Sequence, residues 1–356
     1  MIRSLIINFK NIFVLSKSKT DNTEYPVEYA IGIDVGGTGT KFGIVNHRGE
    51  ISNRGEITST GYKDINAFIE ELYKQLQPAI KAMGGAQFIK GIGIGAPNGN
   101  YYKGTVEYAP NLEWKGIIPI AKLITEKFKK PCTLTNDANA AAIGEMMYGA
   151  ARGMRDFIMI TLGTGVGSGI VANGHLIYGH DGFAGELGHT IIRPGGRLHW
   201  GTGARGSVET YASATGISIT AKEILDERVA ETSLLRNIPH ENITSKRVYE
   251  AAIQGDKIAL EVFQFTGKIL GEALANFVMF SSPEAIILFG GVIKAGDLLL
   301  DPVKENMEKN LLPIFRNKVK LIFSELKESD AAILGASALV WEAKTGLPAK
   351  DEKTKK

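Results

Sequence analysis

Apolar and polar positions alternate twice along this chain around a turn built of glycines. In Ala30–Val45, Ile31 and Ile33 alternate before the turn, and Phe42, Ile44 and Val45 resume after it, which predicts two half-buried strands joined as a hairpin. Phe157–Val171 repeats the design: the spacing from Gly37 to Gly43-Ile44-Val45 equals that from Gly163 to Gly169-Ile170-Val171. Between and after the hairpins the pattern changes period. Asp64 caps a predicted helix running to about Ala82, with Ile65, Phe68, Ile69, Leu72 and Leu76 on one face. Ile89–Pro97 reads as a buried strand in which Gly91 and Gly93 allow close packing, followed by a loop from Asn98 to Lys115. A strand at Cys132–Thr135 runs into an alanine-rich helix, with Asp137 where an N-cap belongs. Ser218–Gln254 reads as helical and polar, and Asp256–Phe280 as a long helix with Ile258, Val262, Phe263, Ile269 and Leu270 inward. Glu284–Ile293 reads as a buried strand containing Gly290-Gly291, and Asp330–Glu342 as a final helix.

Two hairpins of one build, one per half of the chain, predict two related half-molecules facing a shared ligand. Gly36, Gly37 and Gly39 lack a β-carbon and can take positive φ. Such a turn aims backbone N–H groups and the Thr38 and Thr40 hydroxyls at one point, which suits phosphate oxygens. Asp34 ends the first strand, where a carboxylate can hold Mg2+ through water. Gly163, Thr164 and Gly165 form the corresponding turn of the second hairpin. Taken singly, each is also an ordinary Gly-rich hairpin. The chain contains no G-x-x-x-x-G-K-[ST] loop, and strand rather than helix follows the glycines, which excludes the Rossmann fingerprint.

Length and composition narrow the class. A chain of 356 residues buries a sizeable core and predicts two domains. With 44% apolar and 22% charged residues it has a globular composition, and a net charge of +3 without a basic stripe gives no reason to expect nucleic acid. Cys132 is the only cysteine, so an internal disulfide is impossible and a reducing, cytoplasmic setting is expected. No apolar run approaches the roughly 20 residues of a membrane span. Residues 1–28 read as an N-terminal extension and a poor signal peptide, and residues 346–356 as a charged tail.

The remaining polar groups suggest a pocket. Asn111 offers both a donor and an acceptor to a sugar hydroxyl, or serves as a turn residue. Asp137 at a strand-to-helix junction is either a cap or a general base taking the proton of an attacking alcohol, and catalysis is the favoured reading. Glu186, His189 and Glu209 lie in Gly-rich surroundings and together can read several hydroxyls, although an i, i+3 Glu/His pair also suits a metal. Gly290-Gly291 fits close approach of adenosine or a plain strand-loop turn.

In this set and order the motifs resemble the ROK family of sugar kinases and repressors, within the actin-like ATPase superfamily, from about residue 29 to 345. Asp34-Val-Gly-Gly-Thr38 with Lys41 resembles the family's first phosphate motif, Leu162–Gly169 the second, and Gly290-Gly291 the adenosine motif. The resemblance implies an α/β fold of two actin-like (ribonuclease H-like) domains, each a mixed sheet flanked by helices, with the active site in the cleft between them. Its boundaries would be 29–136, completed by a C-terminal helix at about 330–345, and 137–329. It further implies ATP and Mg2+ as cofactors and commonly a homodimer. Asp137 would be the general base, and Asn111, Asn136, Glu186, His189 and Glu209 would bind the sugar. The expected activity is phosphorylation of a hexose at its 6-hydroxyl, foremost glucose, with N-acetylglucosamine or N-acetylmannosamine as alternatives. A sugar-responsive repressor is disfavoured because the segment before the first motif shows no paired-helix pattern; a non-catalytic sugar-binding protein is a third reading.

One departure stands out. The family's zinc motif, C-x-C-G-x-x-G-C-x-E with a preceding His, aligns with Trp200–Glu209, where Trp200, Thr202 and Ser207 replace all three thiolates. His189 alone cannot hold a structural zinc. No zinc is expected, and packing by Trp200 with hydrogen bonds from Thr202 and Ser207 is expected to fix His189 and Glu209 instead.

Overall fold

The computed structural model describes residues 28–342, so nearly all of the N-terminal extension and the whole charged tail lie outside the described residues. Its first half contains β1 (Tyr29–Val35), β2 (Gly39–Asn46), β3 (Ile51–Thr58), α1 (Ile65–Ala82), β4 (Ile89–Gly95), the short β5 (Gly99–Asn100), β6 (Thr105–Glu107) and β7 (Ile117–Ile118), α2 (Ile120–Phe128) and β8 (Cys132–Thr135). The second half contains α3 (Asp137–Tyr148), β9 (Phe157–Leu162), β10 (Val166–Ala172), β11 (His175–Leu176), α4 (Glu209–Ala212), α5 (Ala214–Glu227), α6 (Ser245–Ala252), α7 (Lys257–Ser281), β12 (Ala285–Phe289), α8 (Asp297–Asn310), β13 (Lys320–Phe323) and α9 (Glu328–Glu342).

The repeat seen in the hairpins extends to whole sheets. The first sheet has the order β3-β2-β1-β4-β8 and the second β11-β10-β9-β12-β13. In each, an antiparallel meander supplies one side and two parallel strands the other. Each sheet has its own apolar core: Ile31, Ile33, Phe68, Leu72 and Ile94 in the first, and Ile158, Ile160, Leu270, Leu274 and Ile286 in the second.

Two of the predicted helix starts are realised by the residues the sequence singles out. Asp64 accepts from the N–H groups of Asn66 and Ala67 to start α1, and Asp256 accepts from Ala259 N to start α7. Two stretches differ from expectation. The expected loop Asn98–Lys115 is not wholly irregular: it contains β5 and β6, which with β7 just beyond it form a small sheet, β5-β6-β7, whose strands are too short to show a period. The 218–254 stretch is helical only in part, with two 3-10 turns between α5 and α6, and it buries Ala221, Leu225, Leu235 and Val248 in the second core.

Helix α9 returns the chain to the first sheet, and glycines set how closely it lies. A β-carbon at Gly93 would sit 1.8 Å from the Ala336 carbonyl oxygen, and one at Gly32 would sit 2.1 Å from that of Ile333. Gly93→Ala is therefore expected to cost about 1–3 kcal/mol or more, since backbone on both sides must move. Urea denaturation with an unchanged m-value would report it; an unaltered midpoint would contradict the packing. Helix α3 is buried on nearly all sides and crosses α9 where a β-carbon on Gly335 would lie 2.5 Å from the Ala140 oxygen. Thus α3, which begins at Asp137, is wedged between the returning helix and β10. Among the described residues no helix is long and apolar enough to cross a membrane.

Candidate active site

The two Gly-rich turns join β1 to β2 and β9 to β10. Register places Asp34 opposite Lys41 and Val35 opposite Thr40 in the first hairpin, and Leu162 opposite Val166 in the second. The glycines do not serve positive φ as expected: Gly36, Gly37, Gly39, Gly163 and Gly165 all lie outside that region. They are needed for close approach. A β-carbon on Gly37 would be 2.9 Å from the Asn111 oxygen, and one on Gly165 would be 2.4 Å from Glu209 Oε2. Gly163 differs, because no protein atom lies within 4 Å of its β-carbon position, leaving that face open to a ligand. Thr38 is exposed on the first turn. Thr40 does not point at the same place; it is fully buried and hydrogen-bonds the Ser59 hydroxyl at 2.8 Å, because it already belongs to β2, whereas Thr38 lies in the turn before it.

Asp34 lies largely inside the protein. Its carboxyl is pushed up to about 6, by burial first and by the charge of Asp137 second, with Lys41 opposing both. Asp34 and Asp137 stand near each other at the end of the first sheet: a β-carbon on Gly95 would lie 3.8 Å from Asp34 Oδ1 and 3.6 Å from Asp137 Cα.

The helix cap differs from the sequence reading in an informative way. Asn136, not Asp137, is the N-cap of α3, its side chain accepting from Asn139 N at 2.6 Å. Asp137 is the first helical residue, and its Oδ1 accepts from Ala138 N at 2.9 Å. Capping thus consumes the amide oxygen of Asn136 and leaves Oδ2 of Asp137 uncommitted. The carboxylate keeps an opening to solvent while protein surrounds it on most sides. Burial raises its carboxyl, opposed by the N–H groups of Ala138 and of Asp137 itself.

Asp137 faces a cavity of about 440 Å³ that also receives Asn111, Asn136, Glu186, Glu209 and the turn Gly163–Gly165. Asn111 is held there by its neighbours: Leu112 and Trp114 are buried in the first core, and the Trp114 ring lies 4.6 Å from that of Phe68. Glu186 follows Gly185 on a loop fixed by Ser168, whose hydroxyl donates to Gly185 O and accepts from Leu187 N. Burial raises the Glu186 carboxyl, and the charge of His189 lowers it. His189 is exposed beside Glu186, 3.9 Å from it. Glu209 opens α4, with Oε2 accepting from Val166 N at 2.6 Å.

A second cavity, of about 630 Å³, begins where the first ends. The two share Gly163 and Thr164 as a common wall. The second is lined by Ile217, Tyr249, Phe263 and Val292, with Gly291 at its side. Gly290 takes φ 108°, and Gly291, like Gly163, has no protein atom within 4 Å of its β-carbon position. The arrangement therefore offers a polar chamber rich in carboxylates and a longer, apolar-sided chamber, separated by a turn of open backbone.

The ROK family model matches residues 30–343. This chain belongs to the ROK family. It is 38% identical over 323 residues to a glucokinase of Halalkalibacterium halodurans, covering 89% of this chain and 96% of the relative. It is also 31% identical to a xylose repressor of Caldicellulosiruptor bescii, covering 87% of this chain and 77% of the repressor. Among solved structures, a ROK glucokinase of Streptomyces griseus in complex with glucose and AMPPNP superposes with a TM-score of 0.72 at 31% identity, over 88% of this chain and 99% of that one. The two-sheet α/β architecture is that of the ROK sugar kinases, an actin-like ATPase fold.

Where the ROK zinc motif aligns, this chain has a different construction. Sequence reasoning missed His199, which is buried and contacts Glu209 Oε1 through Nε2 at 2.5 Å. Its signal was a histidine directly before the first replaced cysteine. Trp200 packs as expected, but on His199, with ring centroids 4.6 Å apart and planes at 21°. Thr202 contributes its backbone N–H rather than its hydroxyl, donating to His199 Nδ1. Ser207 does not hold Glu209: its hydroxyl is buried without a hydrogen-bond partner.

Ligand atoms of His189, His199 and Glu209 do lie within 4.8 Å of one another, so a metal must be considered. Two donors to one tetrahedral zinc, each at 2.0–2.1 Å, stand about 3.3 Å apart. His199 Nε2 and Glu209 Oε1 instead contact each other directly as a hydrogen-bonded pair. With all three thiolates replaced as well, the residues present do not fit the family's zinc.

Proposed function

We propose that this ROK protein is an ATP-dependent hexose kinase, with glucose the foremost substrate and glucose 6-phosphate the product. The observation that carries the reading is the pair of cavities meeting at Gly163-Thr164, with Asp137 in the polar one. The sugar occupies the 440 Å³ chamber and ATP the 630 Å³ chamber, so the γ-phosphate reaches the shared turn. Asp137 takes the proton of the 6-hydroxyl while that oxygen forms its bond to phosphorus and the bond to the ADP oxygen breaks. The N–H groups of Thr164 and Gly165, beside the open face of Gly163, together with Gly37, Thr38 and Lys41 of the first turn, stabilise charge on the transferring group, while the N–H groups of Gly163 and Gly36 hold their own turns closed. Mg2+, when bound with ATP, supplies further neutralisation of the phosphates, and Asp34 would hold it through water. Glu186, Glu209, His189, Asn111 and the free amide N–H of Asn136 bind sugar hydroxyls, and Gly290-Gly291 lies against adenosine.

The glucokinase of Halalkalibacterium halodurans and the Streptomyces griseus complex both support glucose over the N-acetylhexosamines. The uncommitted Asp137 oxygen beside an open phosphate turn supports catalysis over a repressor role, for which binding alone would suffice. The test is ADP release from Mg-ATP with glucose, mannose, fructose, N-acetylglucosamine and N-acetylmannosamine, against a sugar-free control. Glucose is expected to give the largest kcat/KM. Silence across the panel, with sugar binding still seen by calorimetry, would replace the kinase with a binding protein.

A further inference from the structure

We propose that His199 is the positioning residue for Glu209, holding its carboxylate in the sugar-reading orientation through a proton on Nε2 rather than through a metal. The inference rests on the kinase reading only in taking Glu209 as a sugar ligand.

The geometry dictates where the histidine proton lies. Nδ1 of His199 accepts from two backbone donors, Gly201 N at 3.1 Å and Thr202 N at 3.0 Å. Both can only donate, so Nδ1 presents its lone pair and the ring proton sits on Nε2. That proton points at Glu209 Oε1, 2.5 Å away. The other carboxylate oxygen is held by Val166 N at 2.6 Å. With one donor on each oxygen the carboxylate plane cannot turn, and the remaining lone pairs face outward to accept sugar hydroxyls.

The ring itself has little freedom. The His199 side chain is 4% exposed and is covered by the stacked Trp200 indole. Its backbone closes a small antiparallel loop, donating to Ala204 O at 2.8 Å and accepting from Gly203 N at 3.2 Å. Bridges at Leu198–Arg205 and Ile191–Ser207 continue the pairing on either side. Arg197 anchors the base of this loop to α5 and to the end of α4, through Thr220, Glu223 and the Thr210 carbonyl. A loop whose three thiolates are gone is thus kept closed by backbone pairing and an arginine clamp, and its product is one oriented N–H.

The replacement for zinc is therefore a hydrogen-bond relay from Gly201 and Thr202 through the imidazole to Glu209. Glutamine can present an amide N–H near the place of Nε2, whereas asparagine is too short and alanine has no donor. His199→Ala and His199→Asn are expected to raise the KM for sugar at least 10-fold, with kcat changed less and the KM for ATP unchanged, and His199→Gln to recover most of the loss. Sugar Kd measured by calorimetry should follow the same order, independently of turnover. Wild-type protein dialysed against 1,10-phenanthroline and returned to Mg-ATP should keep its sugar KM. The proposal is overturned if His199→Ala binds sugar as tightly as wild type. It is equally overturned if His199→Gln, folded by circular dichroism, is as weak as His199→Ala, or if phenanthroline reproduces the defect. Failure of the kinase reading is distinct: wild type and variants would then bind sugar in the expected order while none turns over.

Discussion

Asp137→Asn is expected to lower kcat by about 10²–10⁴-fold, the usual contribution of a general base, while leaving sugar Kd within about three-fold. The amide keeps the size of the carboxylate and can still accept from Ala138 N, as Asp137 does at 2.9 Å, so α3 loses nothing at its start. What disappears is the basic oxygen left uncommitted because Asn136 performs the capping. The pH profile supplies a second, signed readout. Burial raises the Asp137 carboxyl, and only its ionised form can accept a proton. In wild type kcat/KM should fall as pH drops through that raised value; the residual rate of the variant should lose the part of the acid limb that belongs to Asp137 and keep only the part set by Asp34. A variant retaining most of the wild-type rate would remove Asp137 from the role of base.

Asp34→Asn is expected to act in two opposite directions, making the ligand-free protein more stable and the enzyme slower. The sign follows from the raised carboxyl. Its folded value of about 6 exceeds the reference of 3.8, so between these values the folded state binds more protons than the unfolded one. The stability contributed by the neutral form is complete below 3.8 and is lost as pH rises through about 6. At pH 7 the ionised, buried Asp34 therefore costs on the order of 1–3 kcal/mol, which the amide relieves. The same charge is what would hold Mg2+ beside the phosphates, so kcat should fall by ~10²-fold or more. Thermal unfolding at pH 7 and at pH 4 checks the first half: the gain over wild type should be large at pH 7 and nearly gone at pH 4. Mg-ATP should stabilise wild type more than the variant, since a ligand stabilises in proportion to its binding. A variant less stable than wild type at pH 7 would show that Asp34 is compensated in the fold and not held under electrostatic strain.

These opposed effects have one structural origin. Asp34 ends β1 and Asp137 begins α3 directly after β8, and β1 and β8 both run parallel to β4, so both carboxylates lie at the same edge of the first sheet. The charge of Asp137 raises the Asp34 carboxyl, which is unfavourable without ligand and useful once a cation stands beside it.

Much of the fold was legible along the chain, where the deciding interactions are local. The Gly-rich hairpins announced themselves by alternation over a few residues, and α1 and α7 by an Asp directly before a 3.6-residue apolar period. The weakest readings fell where short elements carry no period. Residues 98–118 showed only a Pro-Asn-Leu-Glu-Trp run, yet fold into a three-stranded sheet that seats Asn111 against Gly37. Strands β3 and β13 and helices α2 and α8 have no distinctive residue at their ends, and their positions emerge from pairing and packing against partners far away in sequence.

By itself, the sequence determined the doubled hairpin, the major helices and the family, because spacing and capping depend on residues within a turn of one another. Only the tertiary structure decided which atom of each site residue is free. It turned Thr40 inward onto Ser59, gave the cap to Asn136 and so released Asp137, and placed His199 on Glu209. The Asn136 cap is a local contact with Asn139 N, but Thr40–Ser59, His199–Glu209 and Val166–Glu209 join groups 10 to 43 residues apart. Such pairings are set when two sheets and a returning helix pack together, and no local pattern encodes them.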